Sequence, residues 1–386
     1  MKETTKIMMA LLRSAVCGAT LAEEIKENMT AERLTKLYVL SAHHDMAHLV
    51  AEALSCAGLA DGEVGARFRR EQMLAAFRAE GMTAALAQIS DTLSGHGIPH
   101  IPLKGAVMRS LYPEAWMRTS CDIDVLVTPE TLAAAQTALC EEAGYRKEGN
   151  GEYDVALTSD GGVHLELHYD TMQEDRVANA TEVLGEFWQH VHPETEGGYC
   201  YRLSDEMFYF YHIAHMAKHF CEGGCGVRPF LDLWLLRHRV EYDGAARRRL
   251  LERGGLVAFA EAAEHLSEVW FSDEPWDALA EDMSRYLLRA GTYGVAETYM
   301  AAGHVRAGSK FKNIFARIWQ PYDILRRRYP SLEGRRWLTF FYQIRRWMNV
   351  FRRGKLRQSV EEFRAGATVT DAQTGEISSL LTRLEL

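Results

Sequence analysis

No run of the 386-residue chain approaches the eighteen or so apolar residues that span a bilayer, so no membrane-spanning helix is expected. Cysteine is sparse and unpatterned. The seven cysteines are scattered and odd in number, without the dense spacing of a small secreted scaffold, which points to reduced thiols and a cytoplasmic setting. Internal repeats and low-complexity stretches are also absent. Near the start, Lys2 and Lys6 followed by Ile7-Met-Met-Ala-Leu-Leu12 imitate a secretory signal, but Arg13 interrupts the apolar stretch too early for one.

What is present is an ordinary globular mixture, 47% hydrophobic and 25% charged, enough for a substantial core in two or three domains. Residues 1–97 read as helices, rich in Ala, Leu, Met and Glu, with apolar positions at helical spacing over Leu34 to Leu59 and breaks at Gly58–Gly62 and Gly95–Gly97. From about 98 to 170 short apolar or alternating runs are separated by turns. Gly149-Asn-Gly151 and Asp160-Gly-Gly162 are hairpin signals, so Tyr153–Thr158 and Val163–Tyr169 should pair antiparallel. From about 180 the pattern is again mostly helical. The expected class is α+β: an N-terminal helical region (1–97), a small mixed-sheet core (98–195), a C-terminal helical domain (196–358) and a loosely held polar tail (359–386).

The densest chemistry lies between Ile101 and Val127. Cys121 to Val127 fits a strand between the turn-like Arg118-Thr-Ser120 and Thr128-Pro-Glu130, which can start a helix. Alternation puts Asp122 and Asp124 on one face and Ile123, Val125 and Val127 on the other. Two carboxylates side by side resist ionising together unless a cation lies between them, and magnesium, a hard ion bound by carboxylates and substrate phosphates, is the natural one. In Gly162-Val-His-Leu-Glu-Leu-His-Tyr169 the alternation buries Leu165 and Leu167 and leaves Glu166 on a face with His164 and His168. If the two strands are neighbours, three carboxylates converge as in a two-metal phosphoryl-transfer centre. Upstream, an apolar segment from His100 to Leu103 enters Lys104-Gly105, and helical character runs from Ala106 to Leu111 until Tyr112-Pro113. Such a turn offers backbone N–H groups to phosphate, with Lys104 as a point charge and Arg118 as a planar fork.

Lys104-Gly105, Tyr112-Pro113, Arg118, Asp122-Ile-Asp-Val-Leu-Val127 and Glu166-Leu-His168 together resemble the signature of the polymerase β-like nucleotidyltransferase superfamily, in its bacterial branch with a Leu-Lys-Gly turn. The likeness covers roughly residues 85–240, continuing through His215-Met-Ala-Lys-His219 and Gly223 to Leu233. It implies an enzyme moving a nucleoside monophosphate from an NTP to an acceptor with release of pyrophosphate. It further implies Asp122, Asp124 and Glu166 as catalytic metal ligands for one or two Mg²⁺ ions, replaceable by Mn²⁺, and Lys104, Gly105, Arg118, Ser120 and Lys218 as nucleotide or phosphate contacts. Where the superfamily has glycine followed by glycine or serine, this chain has Gly105-Ala106, and Lys104 is the expected substitute for the missing hydroxyl. Ser120 either contacts a phosphate or shapes the turn into the strand. His168, Arg228 and Asp232 are accessory candidates, the last two as an ion pair ordering a flexible Gly223–Gly226 turn.

Two further patterns remain. His212, His215 and His219 share a helical face with Cys221 and Cys225 just beyond, a conceivable zinc set whose Cys-x3-Cys spacing is loose. Residues 305–358 hold fifteen Lys or Arg against Asp323 and Glu333, in a chain of net charge −9, interleaved with aromatics such as Phe311, Phe315, Trp319, Trp337, Phe340 and Phe341. They could hold RNA or another polyanion, or form an amphipathic helical pair with its aromatics in a core. The acceptor is thus to be sought among small molecules, peptides and RNA. The competing readings are a toxin-like enzyme acting on tRNA, and a non-catalytic NTP-binding scaffold that kept the fold.

Overall fold

The computed structural model describes residues 3–151, 153–170, 177–292, 294–308, 319–322, 325–326, 329–352 and 368–386. Lys2, Phe311, Phe315, Asp323 and the first part of the polar tail lie outside the described residues, so the basic segment is described only in part. The chain is α+β, as its pattern implies. Helices α1 (Glu3–Val16), α2 (Glu23–Glu27), α3 (Ala31–His43), α4 (Ala47–Cys56) and α5 (Gly62–Gly95) come first. The sheet region follows as β1 (His100–Pro102), α6 (Gly105–Met108), β2 (Asp122–Val127), α7 (Leu132–Glu142), β3 (Tyr145–Asn150), β4 (Asp154–Ser159) and β5 (His164–His168). After α8 (Ala180–Leu184), β6 (Val191–Pro193) and β7 (Tyr201–Leu203) come α9 (Asp205–Glu222), α10 (Arg228–His238), α11 (Gly244–Gly254), α12 (Val257–Phe271), α13 (Ala278–Ala290), α14 (Ala296–Ala307), α15 (Thr339–Arg352) and α16 (Asp371–Arg383).

Local chemistry sets several boundaries. Thr30 accepts the Arg33 N–H and Ser204 that of Met207, so α3 and α9 begin at capped turns. The Thr128-Pro-Glu130 segment is a turn, and α7 begins only at Leu132. β6 and β7 form an antiparallel hairpin where helix was expected, and β7 borders β1 through the His100–Cys200 bridge. Its strands are only three residues long, too short for a periodicity to register.

The main sheet has the order β1-β2-β5-β4-β3, parallel only between β2 and β5. The expected β4–β5 hairpin is formed, with Leu157 opposite Leu165. On one face Ile123, Val125, Val127, Val155, Leu157, Leu165 and Leu167 are at most 3% exposed and pack against Ile89 and Leu93 of α5 and Ala135 and Leu139 of α7. Each large aliphatic side chain buried there contributes roughly 1.5–3 kcal/mol. A one-residue slip of β2 would turn two aspartates into that core, so the register is strongly specified. A second, larger core joins helices from both ends of the chain, from Met8 and Leu49 through Phe210 and Phe259 to Leu381.

Buried histidines line this helical body. Burial pushes the His44 imidazole down to about 4, and His48, whose Nε2–H donates to the Met117 carbonyl at 2.9 Å, down to about 4 for the same reason. Above pH 6.5 both are neutral whether the chain is folded or not. Between 6.5 and 4 the unfolded chain takes up protons that the fold refuses, so stability falls with pH. Urea denaturation should show a loss of roughly 2 kcal/mol per histidine on going from pH 7.5 to pH 5. His48→Gln, which keeps a donor for Met117, should flatten that slope, and an unchanged slope would refute the assignment.

Candidate active site

The second face of the sheet is where the chemistry-bearing side chains gather. The parallel register sets Asp122 beside His164 and Asp124 beside Glu166, so the condition for convergence of the three carboxylates is met. Helix α9 stands across from this face, and between them lies a cleft of about 300 Å³. Lys104, Gly105, Arg118, Ser120, Asp122, Asp124, Glu166, Lys218, Arg228 and Asp232 all line it. Tyr211, His215 and His219 of α9 form part of the opposite wall.

Asp124 is the hub. It is 5% exposed, and one of its oxygens, Oδ1, accepts from Lys104 Nζ at 2.8 Å and from His168 Nε2 at 2.8 Å. Burial works against its charge, but Lys104 and His168 outweigh burial and hold the carboxyl far below the usual range. Burial likewise opposes the charge on His168, yet hydrogen bonds to Asp124 and Glu166 raise it to about 9. Lys104 is held charged against burial by Asp124. Asp122 is in the opposite condition. Burial, then repulsion from Asp124 and Glu166, raises its proton affinity. Glu166 is lowered, chiefly by its hydrogen bond with His168, whose Nε2 lies 3.4 Å away.

This donor set suits a hard cation. Among the described residues the only set of three or more His, Cys, Asp or Glu groups drawn together is Asp124, Glu166 and His168. His168 Nε2 is engaged with Asp124 and lies 3.4 Å from Glu166, and the other donors of the set are carboxylate oxygens. Asp122 beside them is a carboxylate whose charge is penalised until a cation arrives, so the residues fit Mg²⁺. The zinc alternative is not assembled. His212 bonds the Pro229 carbonyl at 2.9 Å, His215 and His219 face each other with Nε2 atoms 3.1 Å apart, and Cys221 and Cys225 are buried thiols with raised pKa values.

Lys104 occupies a backbone conformation few L-residues adopt, φ +46° and ψ −115°, where glycine is at ease. A non-glycine residue kept there marks strain tolerated for its side chain. Lys104→Gly should therefore be more stable than Lys104→Ala by about 1 kcal/mol while both lose the Asp124 contact, a difference read by chemical denaturation. Equal stabilities would show the backbone to be unstrained. At Gly105 the requirement is space: a Cβ would lie 3.3 Å from Ser120 Cβ.

The ion pairs differ from the expected ones. Asp232 does not pair with Arg228. It receives the Arg118 fork, with Nε at 2.9 and 3.0 Å and Nη2 at 2.9 Å, together with the Tyr112 hydroxyl at 2.7 Å. Arg228, the first residue of α10, reaches instead to Asp45 between α3 and α4. Thus the fork of Arg118 is committed to a carboxylate. Ser120 is also engaged, accepting from Arg109 and donating to the Asp122 carbonyl at 3.0 Å, which favours its turn-shaping role. The Gly223–Gly226 turn is tightly packed: a Cβ on Gly223 would come within 2.8 Å of the Tyr299 backbone. His164 lies aside, 3.5 Å from the Thr158 hydroxyl.

Asp154 is the residue that the motif reading missed. It sits opposite His168 on β4, on the carboxylate face, and burial raises its proton affinity. The family described as uncharacterised nucleotidyltransferase matches residues 30–272, which takes in the sheet, the helices from α3 to α12 and every residue that lines the cleft except Thr292. The chain belongs to this family. No curated protein and no solved structure matches it. The match places nucleotidyl transfer as the activity, and extends the likeness upstream of the region where motifs are legible, into α3 and α4. In this nucleotidyltransferase α4 supplies His48, and the α3–α4 junction supplies Asp45, the partner of a cleft arginine.

Proposed function

We propose that the chain is a Mg²⁺-dependent nucleotidyltransferase of the polymerase β-like type, transferring a nucleoside monophosphate from an NTP to an acceptor hydroxyl or phosphate. The observation that carries this reading is the parallel β2–β5 register, which aligns Asp122, Asp124 and Glu166 on the floor of a cleft that also holds Lys104 and Lys218. An acceptor oxygen attacks the α-phosphorus, a new P–O bond forms, the bond to the β-phosphate oxygen breaks, and pyrophosphate leaves. Asp122, Asp124 and Glu166 would hold the metal, with Mn²⁺ a workable substitute. When bound, it shields the triphosphate and stabilises the attacking and leaving oxygens. Lys104 and Lys218 balance the charge that moves onto pyrophosphate. Glu166, 31% exposed, would complete the metal shell or take the proton of an attacking hydroxyl. Arg118 positions the turn into β2 through Asp232 and the Thr119 carbonyl.

Seven free thiols support a cytoplasmic setting. Thermal unfolding with each of the four NTPs, with and without Mg²⁺, tests the reading, because a ligand of the native state raises the melting temperature by mass action. A Mg²⁺-dependent rise that vanishes in Asp122→Asn/Asp124→Asn supports it and selects the base. No rise with any NTP at millimolar concentration would favour a degenerate site that no longer takes nucleotide.

A further inference from the structure

Helix α15 is packed inside out. A surface helix ordinarily turns its apolar stripe inward. Here the inward side carries Gln343 and Arg346, 2% and 7% exposed, while Phe340, Phe341, Ile344 and Met348 on the other side are 44–59% exposed. Trp337, in the single turn before the helix, continues the stripe at 74% exposure. The inward packing is specific, since Gln343 donates to the Gln320 carbonyl at 2.6 Å. Trp319 extends the outward patch, its ring 6.1 Å from Phe340. Exposed cations border it: Arg336 lies over Tyr322, and Arg345 over Tyr329 and Tyr342, with Arg335 alongside.

We propose that this face docks on an anionic lipid surface, with α15 lying in the headgroup plane. Three features favour lipid over other occupants. Tryptophan and phenylalanine beside arginine are the chemistry of an interfacial helix, whose apolar side sinks below the headgroups while its cations meet anionic ones. Ile344 and Met348, in the middle and at the end of the stripe, offer hydrocarbon a partner but nucleobases no ring to stack upon. A second copy of the chain is disfavoured by size: a 14-residue helix is about 21 Å long and 10 Å across, so one face offers on the order of 200–300 Å², far below the roughly 800 Å² per partner of a stable dimer. Among the described residues no helix can cross the bilayer, so the attachment is peripheral.

Sedimentation of the full chain with sucrose-loaded vesicles tests this, using phosphatidylcholine alone and phosphatidylcholine with one third phosphatidylglycerol. Binding should appear with the anionic vesicles and weaken about tenfold or more without the anionic lipid. Phe341→Ser/Ile344→Ser/Met348→Ser should lose binding about tenfold or more while keeping its circular dichroism, because the replaced side chains are exposed. Arg335→Gln/Arg336→Gln should weaken it roughly twentyfold. Asp122→Asn, which should fold at least as stably as wild type, should bind vesicles as wild type does, which separates this surface from the nucleotide site. Wild-type chain left in the supernatant, or a serine variant that sediments as well as wild type, overturns the proposal. So does binding of a single-stranded RNA probe in place of vesicles, or a dimer in size-exclusion chromatography that the serine variant dissolves while vesicles are ignored.

Discussion

Asp122→Asn and Asp124→Asn are expected to reduce nucleotidyl transfer alike, yet to move the stability of the metal-free protein in opposite directions. For Asp124 the reason is its two cations. Lys104 and His168 both end on one oxygen of a carboxylate that is almost wholly buried, and an amide leaves them without counter-charge. Removing one partner of a buried ion pair costs about 3–5 kcal/mol. Asp122 stands under no such constraint: it is pressed by burial and by two neighbouring carboxylates, so neutralising it relieves repulsion and raises stability. Loss of either carboxylate removes a preorganised charge beside the reacting phosphate and should slow turnover by on the order of 10²–10³-fold or more. Urea denaturation in EDTA, paired with an assay of pyrophosphate release, separates the effects. An Asp122→Asn variant as unstable as Asp124→Asn would mean that Asp122 is a structural ion-pair partner.

The second large effect belongs to Asp232. At 1% exposure it anchors the Arg118 fork and the Tyr112 hydroxyl, joining α10 to the turn before β2. Asp232→Ala should lower stability by about 3–5 kcal/mol, because Arg118, largely shielded from water, would be left without its counter-charge. Arg118→Met/Asp232→Leu should cost less than the single alanine, since replacing both partners by apolar groups removes the stranded charge. If the double variant were the less stable of the two, the packing around the pair would matter more than its charges. Tyr112, whose hydroxyl burial and the nearby Asp232 charge keep firmly protonated, should then lose its acceptor in both variants alike.

How much of this could be read in advance depended on range. Alternation in Asp122–Val127 and His164–His168 is a local property with one legible period, and the face it sets for Asp122, Asp124 and Glu166 is the one that lines the cleft. Whether the two strands touched was a question of sheet order, which the chain between Val127 and His164 leaves open. Asp154 was readable and overlooked: the Asp160-Gly-Gly162 turn sets Ser159 against Val163, and counting outward sets Asp154 against His168. Arg228 and Asp232 are one helical turn apart, which suggested a local pair. Their real partners, Asp45 and Arg118, are 183 and 114 residues distant, and nothing local announces such contacts. The inverted burial on α15 was likewise hidden, because interleaved arginines and aromatics fit an inward or an outward stripe equally well.

Helix α5 enters both cores, with Phe68 in the helical body and Ile89 and Leu93 beneath the sheet, and strand β2 does the same through Leu126 on one side and Ile123, Val125 and Val127 on the other. At 34 residues it is a rod of about 51 Å. A fragment cut where the composition changes, at about residue 98, would keep every carboxylate but strip the sheet of its covering helix, leaving Ile123, Val125 and Leu167 short of partners. A fragment that holds the sheet must therefore keep the length of α5 that carries Ile89 and Leu93, and because α5 and β2 both run between the two cores, neither core can be drawn off without breaking one of them.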